Sequence, residues 1–481
     1  FVIAASFFTY FHNYQSPPYA FWDEPYHVAS AQKYLNSEFF MEQHPPLGKL
    51  LIALGEHLIK GNAQNSQFLD TDYANFPSSF SFAGYRLFPS LFGWLTAPLL
   101  FFIFFLINKN PKISALLSFL YIFDNALIVH SRGAMIDSTL LFFSVLMIAI
   151  FLFIIRNKDA ITIVLPSFFF LGLTFGLVMT TKVLGLIMIL LFIPLVVLFY
   201  KQSRQLTHGL ALAFLGFFMS FCGVWYVHFS LATNVNPKLN NEGYYQASEP
   251  YKQLLAQKAT GTIAAFPIML RDSLKYVSHY NRGVPPLDMC KADENGSPFF
   301  FWPFGAKSIN YRWHSSGAEV YRYLYLQVNP VVWLTGLVAV ILAASMIIAT
   351  LFFPLKKPFS HSLLLYTFFG MYVAYMIAIS RLDRVMYLYH YFTALIFTFI
   401  LFAIVLENIH AVRTYKIHAK HRAGFCTVLA VAIFISFTLY RPLTYYTPIS
   451  NTALTRLAVF PLWDLHCVNC PRTYCMVQTA K

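Results

Sequence analysis

The sequence predicts an all-α, polytopic integral membrane protein. Three observations carry that reading. Of the 481 residues, 58% are hydrophobic and only 11% are charged, where a soluble chain carries about 25% charged residues. The apolar residues collect into about eleven runs close to the ~20-residue length that crosses a bilayer. Lys and Arg gather in alternate connections between those runs.

The runs lie near 1–11, 84–107, 112–130, 136–155, 160–180, 183–200, 208–231, 328–353, 360–379, 389–408 and 422–440. Each is read as a helix, because backbone in lipid must satisfy its own hydrogen bonds. The chain opens at Phe1 rather than Met. It is therefore expected to begin inside or just before the first helix, with that span retained rather than cleaved. The basic connections hold Lys109 and Lys112, Arg156 and Lys158, Lys201 and Arg204, Lys356 and Lys357, and Arg413, Lys416, Lys420 and Arg422. These belong on the cytoplasmic side. Segments 12–83 and 232–327 and the tail 441–481 then face outward, and 1–481 reads as a single membrane domain. The net charge of +14 follows from this asymmetry and from affinity for anionic lipid, not from nucleic acid.

The first external segment contains two stretches with helical spacing. "EPYHVASAQKYLNSEFF" puts Val28, Ala31, Tyr34 and Leu35 on one side. "HPPLGKLLIALGEHLIKG" starts on prolines, which suit a helix N-terminus, and has Gly61 as its expected stop. Both are shorter than a span and amphipathic, so both are expected to lie at the membrane interface. The second segment is rich in aromatic and turn residues, which suits an interfacial belt or a lid over a site. Cys222 and Cys426 fall within spans as packing residues. Cys290, Cys467, Cys470 and Cys475 fall outside, where oxidising conditions favour disulfides over zinc.

The informative residues are ionisable groups at the external helix ends: Asp23, Glu24, Lys49, Arg86, Asp124, Arg132, Asp137, Lys182, Arg381, Asp383 and Arg384. Together they outline an outward-facing cavity with a few carboxylates and more cations. Cations at the membrane boundary suit a lipid-linked phosphate, and a carboxylate beside them suits a general base. The bland alternatives have equal standing. Asp124, Arg132 and Asp137 can pair with one another as helix caps, and Lys182 can snorkel to the interface. Composition and topology alone leave a transporter and a lipid-dependent transferase level.

Several stretches, in order, resemble one family. "WDEPYHVASAQKYLNSEFFMEQHPPLGKLL", "YRLFPSLFG", "FDNALIVHSRGAMIDSTLLFF", "TTKVLGL", "WPFGAKSINYRW", "YLYLQVNPVVW", "YLYHYFTAL", "RPLTYY" and "WDLHC" are similar to successive signatures of the protein O-mannosyltransferases. The resemblance implies the GT-C glycosyltransferase fold and a polyprenyl-phosphate mannose donor. It also implies a Ser or Thr acceptor on an exported protein, and inversion by a single displacement. By resemblance Asp23 takes the catalytic base position. Glu24 beside it is expected to orient a hydroxyl or a nearby cation. Arg86, with Lys49, is expected to contact the donor phosphate, and Arg132 and Lys182 are second choices. His44, which precedes two prolines, is expected to be structural before it is a proton carrier. Asp137, Arg384, His390 and Tyr391 complete the candidate set, the last two as a family pair without an assigned role.

No metal is assigned, and the only small partner expected is the lipid-linked donor. Oligomeric state is not read. Segment 232–327 is too short for the β-trefoil module of the eukaryotic enzymes, so the resemblance is to the bacterial branch. That implies a shorter polyprenyl carrier and a site facing the periplasm or exterior of a bacterial inner membrane (the lumen, if the source were eukaryotic). The competing readings are a GT-C transferase with a lipid or glycan acceptor or another sugar, a transporter, and a scaffold. No inverted repeat supports a transporter.

Overall fold

Apolar runs become helices wherever the backbone has no other partner for its hydrogen bonds. The computed structural model describes residues 1–62, 76–237, 242–291, 294–317, 319–354, 359–412, 415–468 and 470. Lys356, Lys357, Arg413 and Cys475 lie outside the described residues. Among the described residues eight helices are long and apolar enough to cross a membrane: Leu87–Asn108, Asp137–Arg156, Ile161–Met179, Ser203–Leu231, Pro330–Phe352, Ser362–Ser380, Leu388–Asn408 and Ala419–Thr444. The chain is a multi-pass helical membrane bundle. Leu388–Asn408 is its axis, entirely covered by its neighbours.

The other three expected spans differ from simple helices. The run at 112–130 is broken into Pro111–Ile122 and Asn125–Ser131, bent by 65°. A break within a span exposes backbone groups that lipid cannot satisfy, and polar side chains fill that role here. The Asp124 carboxylate accepts from Leu127 N at 2.9 Å and from Trp333 Nε1 at 2.9 Å. Asn329 Nδ2 donates to the Phe123 carbonyl at 2.8 Å. Asp124 is thus a helix cap, as the bland reading had it, but it does not pair with Arg132.

The run at 183–200 forms a helix of only 17 residues, Val183–Phe199, of which Val183–Leu191 is 3₁₀. A 3₁₀ helix rises about 2.0 Å per residue against 1.5 Å for an α-helix. The segment therefore still reaches about 30 Å, the thickness of a hydrocarbon core. The first run forms Val2–Phe11, which is shorter than a span.

Among the described residues, segments 12–83 and 232–327 carry regular structure. Glu24–Leu35 and Leu47–Ile59 are helices. The second stops with Lys60 in the left-handed region (φ 56°), one residue before the glycine expected to end it. It leaves Leu54, Leu58 and Ile59 uncovered. The bundle also departs from pure helix. Ile309–Gly317 and Val320–Leu326 form an antiparallel hairpin, joined on its far edge by Pro448–Ser450. The aromatic, alternating "VYRYLYL" suits a half-buried strand. This sheet ties the second external segment to the tail. Cys467 and Cys470 form a disulfide there.

Close backbone contact fixes the first external segment. Gly55 and Gly84 meet with so little room that a Cβ on Gly84 would lie 2.5 Å from Glu56 Cα. This contact locks Leu47–Ile59 against the start of Leu87–Asn108. Gly84→Val is expected to lower stability by about 1–3 kcal/mol, read as a drop in the thermal unfolding midpoint of the detergent-solubilised protein.

Candidate active site

Asp23 and Glu24 are adjacent, and the fold sends them to different places. Trp22 before them has φ 52°, a left-handed conformation uncommon for a bulky side chain. Its ring stacks on Tyr311 (5.0 Å, 14°) and meets Tyr387 edge-on (5.4 Å). These aromatic contacts hold the strained turn.

Glu24 is completely buried. Arg86 Nε and Nη2 grip its two oxygens at 2.6 and 2.8 Å, and Ala134 N and Phe21 N donate to them at 2.7 and 3.0 Å. Arg86 also donates to the carbonyls of Gln15, Pro17 and Tyr19. All five guanidinium N–H groups are therefore spent on protein acceptors. Its plane lies between the rings of Phe21 (4.8 Å) and Phe82 (4.6 Å). Arg86 was expected at the donor phosphate. The geometry does not leave it there, because it has no N–H left to offer. Glu24 holds this cation and does not point at a substrate hydroxyl.

Arg132 is likewise turned to backbone carbonyls. It is buried, and Nη1 and Nη2 donate to the carbonyls of His12 (2.9 Å) and Asn13 (2.6 Å) while the guanidinium stacks on Tyr445 at 5.1 Å. It anchors the end of Val2–Phe11 to the bundle. Tyr391 is also turned inward, against Tyr372 (OH to OH, 3.2 Å) and Trp333.

The remaining candidates converge. Asp23 begins the helix Glu24–Leu35 but makes no capping hydrogen bond, so its carboxylate is free of that duty. It is half-buried, and Tyr389 Oη approaches its Oδ2 at 3.4 Å. Beyond Tyr389 stand His130, Asp137 and Lys182. Lys182 Nζ contacts Asp137 Oδ1 at 2.9 Å, and His130 Nε2 contacts Oδ2 at 3.2 Å. His130 Nδ1 meets the Tyr311 hydroxyl at 2.7 Å, and its ring stacks on Tyr389 at 4.7 Å. Lys182 lies 5.5 Å over the same Tyr389 ring. His390 stacks on the Tyr389 ring at 4.6 Å, with Nδ1 held by the Tyr387 carbonyl at 3.0 Å. Asp137 is thus shared by a lysine and a histidine rather than capping its helix.

Lys49 enters from the other side. It is buried and paired with Glu42, which also accepts from Ser30. Leu47 N donates to Thr180 O at 2.8 Å, which brings the Lys49 helix up to the turn between Ile161–Met179 and Val183–Leu191 that carries Lys182. His27 and His44 both lie within the field of the two lysines. Burial, then the charges of Lys49 and Lys182, push both imidazoles well below the usual histidine range, so they are neutral near pH 7. Burial raises the Asp23 carboxyl, against the opposing pull of His130 and Lys182. Arg384 stands apart, its Nη1 on Asn281 Oδ1 at 2.5 Å. Among the described residues no group of three His, Cys, Asp or Glu side chains is placed to hold a metal.

Sequence reasoning passed over His130, Tyr389 and Tyr311. His130 sits within the quoted "FDNALIVHSRG", and an imidazole at a helix end facing other charges was the available signal. Tyr311 and Tyr389 sit within the quoted "WPFGAKSINYRW" and "YLYHYFTAL", but no charge marked them out from the other tyrosines.

The site is therefore a half-buried carboxylate near Lys182, Asp137 and His130 in a helical membrane bundle. Residues 1–235 match the family described as Dolichyl-phosphate-mannose-protein mannosyltransferase. Residues 274–463 match the C-terminal four TMM region of protein-O-mannosyltransferase. The chain belongs to the protein O-mannosyltransferase family. Among relatives, Dolichyl-phosphate-mannose--protein mannosyltransferase 6 of Saccharomyces cerevisiae is 30% identical over 183 residues, 38% of this chain. Protein O-mannosyltransferase 1 of Drosophila melanogaster is 30% identical over 254 residues, 48% of this chain. The matched stretches span only 24% and 27% of those relatives' own lengths. The fold is shared with the S. cerevisiae protein O-mannosyltransferase Pmt1–Pmt2 complex bound to the sugar donor (TM-score 0.79, 15% identity, 96% of this chain and 92% of that chain). A more distant likeness is to the Archaeoglobus fulgidus oligosaccharyltransferase (TM-score 0.52, 13% identity, 96% of this chain and 57% of that chain). The chain therefore has the GT-C fold.

The Glu24–Arg86 pair predicts its own cost. Arg86→Met would leave a buried carboxylate unpaired and destabilise the protein by about 3–5 kcal/mol. Thermal unfolding should report that loss, whereas Arg384→Met, at a partly exposed site, should change the midpoint little.

Proposed function

We propose that the protein transfers mannose from a polyprenyl-phosphate carrier to Ser or Thr hydroxyls of exported proteins, with Asp23 as general base. The observation that carries the reading is the position of Asp23: a carboxylate released from capping, raised by burial and within the field of Lys182, in a chain of this family. A neutral hydroxyl is a poor nucleophile. In the proposed step Asp23 takes the hydroxyl proton while that oxygen forms its bond to the anomeric carbon. The bond from that carbon to the phosphate oxygen breaks on the opposite face, and polyprenyl phosphate leaves with the electron pair. One displacement inverts the anomeric centre.

The leaving phosphate gains charge, so cations near it lower the barrier. Lys49 and Lys182 are the residues suited to that role. Each spends one contact on a carboxylate, Glu42 or Asp137, and an ammonium group has three donors. Glu42 and Asp137 would hold these lysines in place, and neutral His27 and His44 would add hydrogen bonds without adding charge. The reading includes the outward-facing orientation drawn from the basic loops, and the bacterial branch with its shorter carrier.

The experiment is incubation of the purified protein with polyprenyl-phosphate mannose and Thr-containing peptides, followed by mass spectrometry. A mannose increment on the peptide is expected; an increment only on a lipid would replace the acceptor class. Asp23→Asn should reduce turnover by about 10²–10⁴-fold while the thermal midpoint stays near wild type. Full turnover in that variant removes Asp23 as base.

The pH profile follows from the raised carboxyl. Only the deprotonated base is active, so activity should fall with decreasing pH on a limb above the ordinary aspartate value of about 3.9. Tyr389→Phe removes a hydrogen bond to the charged form, so this limb should move to still higher pH. Lys182→Met and Lys49→Met should both weaken turnover; a variant with full turnover and unchanged donor KM would exclude that lysine from the phosphate site.

A further inference from the structure

Beside the Asp23 site lies an open hollow of about 850 Å³, within the ~300–1,000 Å³ range of ligand sites. One wall is the segment 385–387, just before the turn that carries Tyr389 and His390. Val385 N donates to Pro285 O at 2.8 Å, and Ser297 N donates to Met386 O at 3.0 Å. These bonds fasten both sides of the hollow to that segment. Tyr387 lines the hollow and also borders the Asp23 pocket: it meets Trp22 edge-on and stacks on Tyr389 at 5.6 Å. The two spaces therefore share a wall. A chain lying in the hollow and passing Tyr387 would bring its next residues to Asp23.

The hollow has a definite chemistry. Tyr280, Pro285 and Tyr387 give it flat, rigid walls. Among the lining residues Glu242, Asp288 and Glu294 contribute three carboxylates, against the one lysine, Lys291, and His279; Arg384 stands behind Tyr280 and Tyr387, engaged with Asn281. None of the three makes an ion pair with a described residue. Asp288 accepts from Cys290 N at 2.9 Å and Glu294 from Gly296 N at 2.6 Å. Those bonds orient the carboxylates without neutralising them. Carboxylates outnumber lysines in this lining, so an anionic donor is repelled from the hollow and a cationic chain is attracted.

We infer that this hollow is the acceptor-docking groove, and that it selects polypeptide segments with Lys or Arg flanking the hydroxyl residue. The inference rests on the transferase reading above and adds to it a substrate preference. Exposed charge pairs contribute modestly and are screened by salt. A preference of severalfold at low ionic strength, shrinking as salt rises, is the expected size.

The test uses the whole protein in detergent and two short fluorescent peptides with one central Thr, flanked by Lys in one and by Glu in the other. Binding is read by anisotropy and transfer by mass spectrometry with polyprenyl-phosphate mannose. The Lys peptide should bind at least fivefold tighter. The triple variant Glu242→Gln, Asp288→Asn, Glu294→Gln should bring the two peptides level, with the loss appearing in KM rather than in kcat. Equal binding of the two peptides to the wild type, or a preference that survives in the triple variant, overturns the groove. Charge-dependent binding without any mannose transfer would leave the groove standing and remove the transferase reading. Transfer without charge preference does the reverse.

Discussion

The buried pair between Glu24 and Arg86 is the constraint on which the site depends. A carboxylate with no exposure is costly unless every lone pair is met. Here two guanidinium bonds and two backbone N–H groups meet them. The same arginine reaches three carbonyls of the segment before it. The first external segment is thereby tied to the start of Leu87–Asn108 and to the turn at Ala134. Because Glu24 is held inward, the neighbouring Asp23 has its backbone position fixed, and the left-handed turn at Trp22 directs it to the pocket.

From that fixed point the site divides by charge. Each lysine is paired with a single carboxylate, so neither ammonium group is isolated in a low-dielectric setting. The imidazoles near them are neutral, which avoids adding further like charge. Asp23 lies at the edge of this field. Burial lifts its affinity for a proton while the nearby cations restrain it, and this balance suits a group that must first be deprotonated and then accept a proton. Tyr389 joins the parts: its hydroxyl reaches Asp23 and its ring lies against His130, His390 and Lys182.

Much of the fold was legible because lipid imposes simple rules. Eight of the expected spans appear as long helices, and a ninth appears as a bent pair. The break at Asp124 could be suspected from an acid within an apolar run, but its 65° bend depends on Trp333 and Asn329, more than two hundred residues away. The hairpin of Ile309–Gly317 and Val320–Leu326 was not read, since aromatic-rich segments suit a membrane interface as well as a strand. In the site, Asp23, Lys49, Lys182 and Asp137 were all named from their positions at helix ends. Arg86 and Arg132 were named by the same rule and face elsewhere.

The sequence by itself determined that the chain is a membrane bundle and that its ionisable residues gather at one set of helix ends. Charge is so costly in lipid that its placement along the chain carries that information. It could not separate cations that face a cavity from cations that clamp backbone. That choice depends on which carbonyls and carboxylates lie within hydrogen-bond reach in three dimensions. Arg86, with five such acceptors, became a structural tie; Lys49 and Lys182, with one carboxylate partner each, kept donors to spare. Only the tertiary structure decided this, because the acceptors come from segments distant in sequence.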